Sequence, residues 1–390
     1  MPEPDAGYVR DTLVQLVRIN SINPDLVPGA PGEAAICEWV AGELQRLGCE
    51  ITRREPRPGR MSVAGTWRGA GGGPSLMLYA HLDTVGVEGM PDPWSGELRD
   101  GRLYGRGSYD MKGGLAACLA AVKALRDSGL RLRGDLVVCA AADEETASLG
   151  MSDLLEVVQT DAAIVTEPTE LEVFIAHKGF CWIEVETLGR AAHGSRYQEG
   201  IDANLRMGRF LAELATLERQ LRTGPSHPIL GPPSLHAATL HGGTGLSTYA
   251  ARCVLQIERR TLPGETPTEV LAQIEAILSS LRAADPAFDA RARLLLARPS
   301  YEGSAQSAVA RVVIEAAEHR LGRTPVISGA AYWMDAALIA EAGIETVVIG
   351  ATGAGAHAAV EWVVLGSVEA LADILADAAV SYCGTVVSSE

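Results

Sequence analysis

Cysteine is present in this chain without any of the patterns that would give it a structural job. The seven cysteines (Cys37, Cys49, Cys118, Cys139, Cys181, Cys253, Cys383) are odd in number, scattered, and never in a CxxC spacing. That excludes a disulfide framework and a thiolate zinc site and points to a reducing compartment. They read as small core hydrophobes. Positive charge is also short: 33 Lys and Arg face 49 Asp and Glu, for a net charge of −16. Such a surface repels phosphate backbones and anionic lipid, so neither nucleic acid nor a membrane is expected as a partner. No window reaches about 18 uninterrupted apolar residues, and the opening MPEPDAGYVR has no basic stretch leading into an apolar one. The expectation is a soluble, cytoplasmic protein that acts on small molecules. Absent too are the GxSxG elbow of serine hydrolases and the HExxH zinc helix.

What is present suits a globular enzyme. The 390 residues exceed the size at which single cores stop growing, so two domains, or one domain with an insertion, are expected. From Tyr8 to about Leu47 apolar residues recur at helical spacing, interrupted by a Pro/Gly loop. GGGPSLMLYAHLD then reads as a Gly-rich turn feeding a buried strand, and DMKGGLAACLAAVKALRDSG as an Ala-rich helix stopped by Gly129. GDLVVCAAADEE, AAIVTEPTE and ETVVIGATGAGAH repeat the pattern of an apolar strand ending in a polar cluster. Strands alternating with helices imply an α/β sheet, where ligands bind outside the carboxyl ends of the strands. The four polar clusters should therefore converge on one edge.

Between Lys178 and Arg298 the texture changes. CWIEVETLG and RCVLQIERRTL alternate like half-buried strands, ARARLLLA is a further strand, and ANLRMGRFLAELATLERQL and TPTEVLAQIEAILSSLRAA are helices. This βαββαβ-like string, ferredoxin-like in order, suits an inserted α+β domain over 178–298, with 1–177 and 299–390 forming the main α/β domain.

The chemistry-bearing residues sit at the strand ends. His81 and Asp83 lie two apart, and a carboxylate beside a metal-binding His commonly takes the imidazole's other N–H. Taken alone, the pair fits a surface HxD equally well. Asp110, in a loop that opens a helix, would alone read as an N-cap. Glu144 and Glu145 end an apolar strand as adjacent carboxylates, a costly arrangement unless a cation balances them. Glu167 follows another strand, and His357 lies in a Gly/Ala stretch after VVIG. Together they offer the oxygen and nitrogen ligands that Zn2+, Co2+ or Mn2+ accept.

The stretches AHLDTV (Ala80–Val85), GRLYGRGSYDMKGG (Gly101–Gly114), DEE (Asp143–Glu145), TEPT (Thr166–Thr169), RAAHGS (Arg190–Ser195) and GAHAAVEWV (Gly355–Val363) resemble those of the M20 metallopeptidases. That family includes acetylornithine deacetylase, succinyl-diaminopimelate desuccinylase, aminoacylase and glutamate carboxypeptidase, and the likeness spans nearly the whole chain. It implies a zinc-exopeptidase-like catalytic domain, with a mixed sheet flanked by helices, and an inserted lid domain that forms a homodimer. It implies two Zn2+ ions, replaceable by Co2+ or Mn2+. Asp110 would bridge them, with His81 and Glu167 on one and Glu145 and His357 on the other. Glu144 becomes the general base, Asp83 the partner of His81, and a cis peptide follows Asp110. His193 corresponds to a lid histidine that reaches the substrate carbonyl across the dimer. Arg260 corresponds to the arginine that grips the substrate carboxylate, while Arg259 beside it is expected to be a solvated charge.

The implied function is hydrolysis of the amide bond of small N-acyl amino acids, with a dipeptidase or carboxypeptidase on the same centre as the alternative. Glu167 stands where hydantoinase-like carbamoylases tend to have His, which disfavours N-carbamoyl substrates. Departures from the family pattern fall at Ser247–Ala250, at AAYWMD ending in Asp335, and at Gly350–Thr352, positions that line the pocket in relatives. A dehydrogenase could claim GAGAHA, but the motif comes late in the chain and DEE goes unexplained. A non-catalytic zinc-binding relative would be expected to have lost ligands or base, and all are present.

Overall fold

A computed structural model describes residues 2–386, which divide into two compact units. The first comprises the chain up to Ile175, Gly303–Ser328 and the chain from Met334 on; the second comprises Ala176–Glu302 and Gly329–Trp333.

The first unit is a mixed sheet flanked by helices. Its strands run in the spatial order Glu50–Arg54, Ser62–Trp67, Leu136–Ala141, Leu76–His81, Ala162–Val165, Glu345–Val348, Val173–His177. The middle four are mutually parallel neighbours, with Leu78 opposite Val138 and Ile164, and Val347 opposite Ile164. Strands 76–81, 136–141 and 162–165 are buried at every residue. This is why they read as unbroken apolar runs rather than alternating ones: both sheet faces are covered. The four polar clusters therefore share one edge of the sheet, as the sequence predicts.

The expected helical stretch from Tyr8 to Leu47 is two helices, Ala6–Arg18 and Ala34–Arg46. Asp5 caps the first by accepting from the N–H groups of Gly7 and Tyr8. The helix Gly113–Asp127, buried along most of its length, packs against Leu365–Cys383 and Ala6–Arg18, and Gly129 follows it at φ 69°. A small antiparallel sheet joins Gly353–Ala354, Trp362–Val364, Arg102–Tyr104 and Glu97–Arg99. All seven cysteines are buried and free.

The second unit has the order βαββαβ. Its antiparallel sheet runs Ser234–Gly242, Arg252–Thr261, Gly179–Leu188, Ala290–Arg298, with helices Ala203–Thr223 and Pro267–Ala284. Val185, Phe210, Leu255, Ile257 and Ile274 belong to its core. One expectation fails here. Arg259 does oppose Arg260 across the strand, but the face it shares with Cys253, Leu255 and Ile257 is the core face, and it is 0 % exposed. Its guanidinium donates to the Arg260 carbonyl and to the Glu265 carboxylate, which also accepts from Leu262 N at 2.7 Å. Among the described residues no helix is long and apolar enough to cross a membrane.

Candidate metal centre

His81 is the last residue of its strand and 1 % exposed. Its Nδ1 lies 3.0 Å from the Asp83 main-chain oxygen and 3.7 Å from the Asp83 carboxylate. A carbonyl only accepts, so Nδ1 carries the proton and Nε2 is left facing Asp110 Oδ1 at 3.1 Å and Glu167 Oε1 at 3.9 Å. The Asp83 carboxylate has a different task. It accepts from the backbone N–H of Glu144 (3.1 Å) and of Glu145 (3.2 Å), and from Asn23 Nδ2 (2.8 Å). Asn23 also donates to Asp143 at 3.0 Å and accepts from Arg60 Nη1 at 2.8 Å, while Arg60 pairs with Asp143 directly. This buried lattice holds the turn that carries both glutamates.

Glu167 is placed by backbone packing. Thr166 Oγ1 donates to the Tyr79 carbonyl of the neighbouring strand at 2.8 Å. A Cβ on Gly350 would sit 1.9 Å from the Glu167 carbonyl oxygen, and one on Gly114 would sit 2.4 Å from that of Thr166. Both positions therefore require glycine because other backbone passes too close.

Asp110 stands in an irregular helical turn, Ser108–Lys112, and the Asp110–Met111 peptide is cis. His357 lies at φ 60° in the turn between Gly353–Ala354 and Trp362–Val364. Its Nε2 is 3.4 Å from Asp110 Oδ2 and 3.0 Å from Glu145 Oε2. The structure thus brings His81, Asp110, Glu145, Glu167 and His357 together. Potential ligand atoms of His81, Glu144 and Glu167 fall within 4.8 Å of one another, as do those of His81, Asp110 and Glu145.

The electrostatics of this cluster call for positive charge. Burial pushes the Glu144 and Glu167 carboxyls well above the usual range, helped at Glu144 by the Glu167 charge and at Glu167 by Asp110 and Glu145 against the opposing pull of His81. Burial and neighbouring Asp110 raise Glu145. Burial also works against ionised Asp110, yet its hydrogen bonds to His357 and His81 pull it below the carboxylate range. Those same bonds, with Glu145, lift His357 up to about 10. For His81, burial opposes protonation, and the Asp110 bond and surrounding carboxylates outweigh it. Oε1 of Glu145 and Oε1 of Glu167 are buried with no hydrogen-bond partner. Unpaired buried carboxylate oxygens are costly unless a cation takes their lone pairs, so the donor set fits divalent metal.

His193 and Arg260 belong to the second unit. His193 is exposed, and its Nδ1 accepts from Ser195 N at 3.2 Å with Ser195 Oγ at 2.8 Å, which leaves the proton on Nε2. Arg260 Nε donates to Glu258 at 2.7 Å, and its guanidinium lies over the Phe180 ring at 5.3 Å. Trp182 Nε1 donates to the other Glu258 oxygen at 3.0 Å.

Residues 77–381 match the peptidase family M20/M25/M40. The chain belongs to this family. It is thereby a metal-dependent hydrolase. It is 29% identical to the acetylornithine deacetylase of Myxococcus xanthus over 390 residues, covering 96% of this chain and 98% of the relative. Its fold matches aminopeptidase PepT of Bacillus cereus at a TM-score of 0.81 and 18% identity, covering 97% and 99% of the two chains. It also matches the YXEP protein of Bacillus subtilis, a dinuclear metal-binding peptidase from the M20 family, at a TM-score of 0.75 and 15% identity, covering 98% and 99%.

Four participants in this M20 site carry no signal that sequence reasoning caught. Asn23, Arg60, Arg106 and Glu361 hold the residues named above through main-chain and carboxylate contacts. Arg106 and Glu361 lie within two of the M20-like stretches, and that placement was the available clue.

Proposed function

We propose that the chain is a di-zinc amidohydrolase that cleaves small N-acyl amino acids, with Co2+ or Mn2+ able to replace zinc. The observation that carries this is the pair of buried, unpartnered carboxylate oxygens on Glu145 and Glu167 beside two imidazoles. In this reading His81 and Glu167 would hold one ion, Glu145 and His357 the other, and Asp110 would serve both. Metal bound there would supply Lewis-acid polarisation of the amide carbonyl and lower the pKa of water. Glu144, whose carboxylate has no hydrogen bond to another described residue, takes the proton of the attacking water and delivers it to the leaving amine nitrogen. Asp83 fixes both glutamates through their amides. His193, with its proton on Nε2, is the donor for the developing oxyanion, and Arg260 the grip for the substrate carboxylate.

The acyl-amino-acid substrate is favoured by the near end-to-end likeness to an acetylornithine deacetylase. The likeness in fold to an aminopeptidase keeps an exopeptidase as the second reading. We further infer that 1–177 with 299–390 is the catalytic domain and that 178–298 is a lid through which the protein forms a homodimer. A panel of N-acetyl, N-succinyl and N-formyl amino acids run beside dipeptides, with Zn2+ or Co2+ added, tests the substrate. Turnover of dipeptides alone would overturn the deacylase assignment.

A further inference from the structure

The small antiparallel sheet sets Trp362 opposite Tyr104, and Gly105 N donates to the Glu361 carbonyl at 3.2 Å. This register brings together two side chains just beyond the pairing, Glu361 one residue before Trp362 and Arg106 two after Tyr104, each 2 % exposed. Glu361 Oε2 accepts from Arg106 Nη1 at 2.7 Å and from Gly107 N at 3.0 Å. Its Oε1 accepts from Tyr109 N at 2.9 Å and from Asp110 N at 3.0 Å. Arg106 directs its remaining nitrogens at main-chain carbonyls: Nε to Gly86 at 3.0 Å and Nη2 to Ala358 at 2.8 Å.

One ion pair therefore grips the backbone of Asp110 with one end and the peptide next to His357 with the other. His357 needs such an anchor. It sits on a turn rather than a strand, and its side chain is 56 % exposed. His81 and Glu167, by contrast, are fixed by the central sheet. A buried pair with its hydrogen bonds complete has one geometry, and loss of either partner leaves an uncompensated charge and frees both loops.

We propose that Arg106 and Glu361 are positioning residues that set the separation of Asp110 and His357. They thereby govern chiefly the affinity of the ion held on the His357 and Glu145 side, where both Asp110 and His357 depend on the pair; the ion held by His81 and Glu167 depends on it only through the shared Asp110. This rests on the dinuclear assignment above.

The test is calorimetric titration of metal-free full-length protein with Co2+, with the cobalt absorption spectrum followed at each step and the melting temperature of each metal-free variant recorded. Wild type is expected to bind two equivalents. In Glu361→Gln, where an amide NH2 must face an N–H donor, the second equivalent should weaken by roughly 10- to 100-fold while the first stays within about threefold. Arg106→Lys keeps the charge beside Glu361 but cannot reach both carbonyls, so it should show the same selective loss and carries the test if the glutamine variant does not fold. Two equivalents bound as in wild type, even with a lowered melting temperature, would make the pair a fold element only and overturn the proposal. Equal weakening of both equivalents would overturn it as well. A wild type that binds one equivalent would sink the dinuclear assignment itself, and the clamp with it.

Discussion

His81 donates its Nδ1 proton to the main-chain carbonyl of Asp83, 3.0 Å away, while the Asp83 carboxylate accepts from the amides of Glu144 and Glu145. One residue thus orients an imidazole with its backbone and a pair of carboxylates with its side chain. Asp83→Asn should leave the His81 tautomer intact and disturb the glutamate turn, because the new NH2 group faces N–H donors. The expected outcome is a kcat lower by roughly 10- to 100-fold with metal content held. Atomic absorption that showed metal lost in proportion to activity would contradict this.

Glu144→Gln removes the proton acceptor and preserves shape. Turnover should fall on the order of 100- to 10,000-fold, the usual worth of general base catalysis. KM and metal stoichiometry should change little. Steady-state kinetics on a reconstituted sample checks this, and near-normal kcat would assign the base elsewhere.

Removal of metal by a chelator should abolish activity, and Zn2+ or Co2+ should restore it. Because a ligand that binds only the folded state stabilises it, metal at one hundred times its dissociation constant adds about 2.7 kcal/mol. Calorimetric scans at rising metal concentration should show a climbing melting temperature. A melting temperature indifferent to metal would refute binding at the folded site.

Glu33 is fully buried beside Arg60, and burial first, then the Asp83 charge, pushes its carboxyl up to about 8 from an ordinary 4.5. Its folded value lies above its unfolded one, so its contribution to stability is full below pH 4.5 and is lost as pH rises through about 8. Glu33→Gln should accordingly gain on wild type across that window, by more than about 1.4 kcal/mol, the worth of one pKa unit. Denaturant unfolding at several pH values reads this directly, and a difference independent of pH would rule it out.

Arg260→Ala should raise KM for an N-acyl amino acid on the order of 10- to 100-fold, as expected for loss of a charge-assisted pair. The same substitution should barely change kinetics on the corresponding carboxamide. Equal losses on both substrates would show that Arg260 serves the fold rather than the carboxylate.

Much of the centre was legible because buried parallel strands leave a plain trace: an apolar run that stops at a polar cluster. LMLYAH, LVVCAA and AAIV with their tails place His81, Glu144, Glu145 and Glu167 on one edge from the sequence pattern alone. Asn23, Arg60, Arg106 and Glu361 left no such trace. Each acts on a backbone amide, a carbonyl or a carboxylate brought near by tertiary folding, and that relationship has no spacing in the sequence. The strand Ser234–Gly242 was not singled out either, since it is exposed at nearly every position at the edge of its sheet and lacks the alternation that marks its neighbours. Arg259 shows the opposite hazard: strand alternation places it on the face of Cys253, Leu255 and Ile257, and its charge, which suggests solvent, is satisfied inside by Glu265.

Gly114 and Gly350 touch the Thr166–Glu167 backbone so closely that neither tolerates a single added carbon. In a comprehensive substitution screen scored by activity, these two positions should behave like metal ligands although they have no side chain to donate. An engineer who reshapes the pocket should treat them as part of the inventory of the reaction centre, because replacing either one changes the address of Glu167 without changing Glu167.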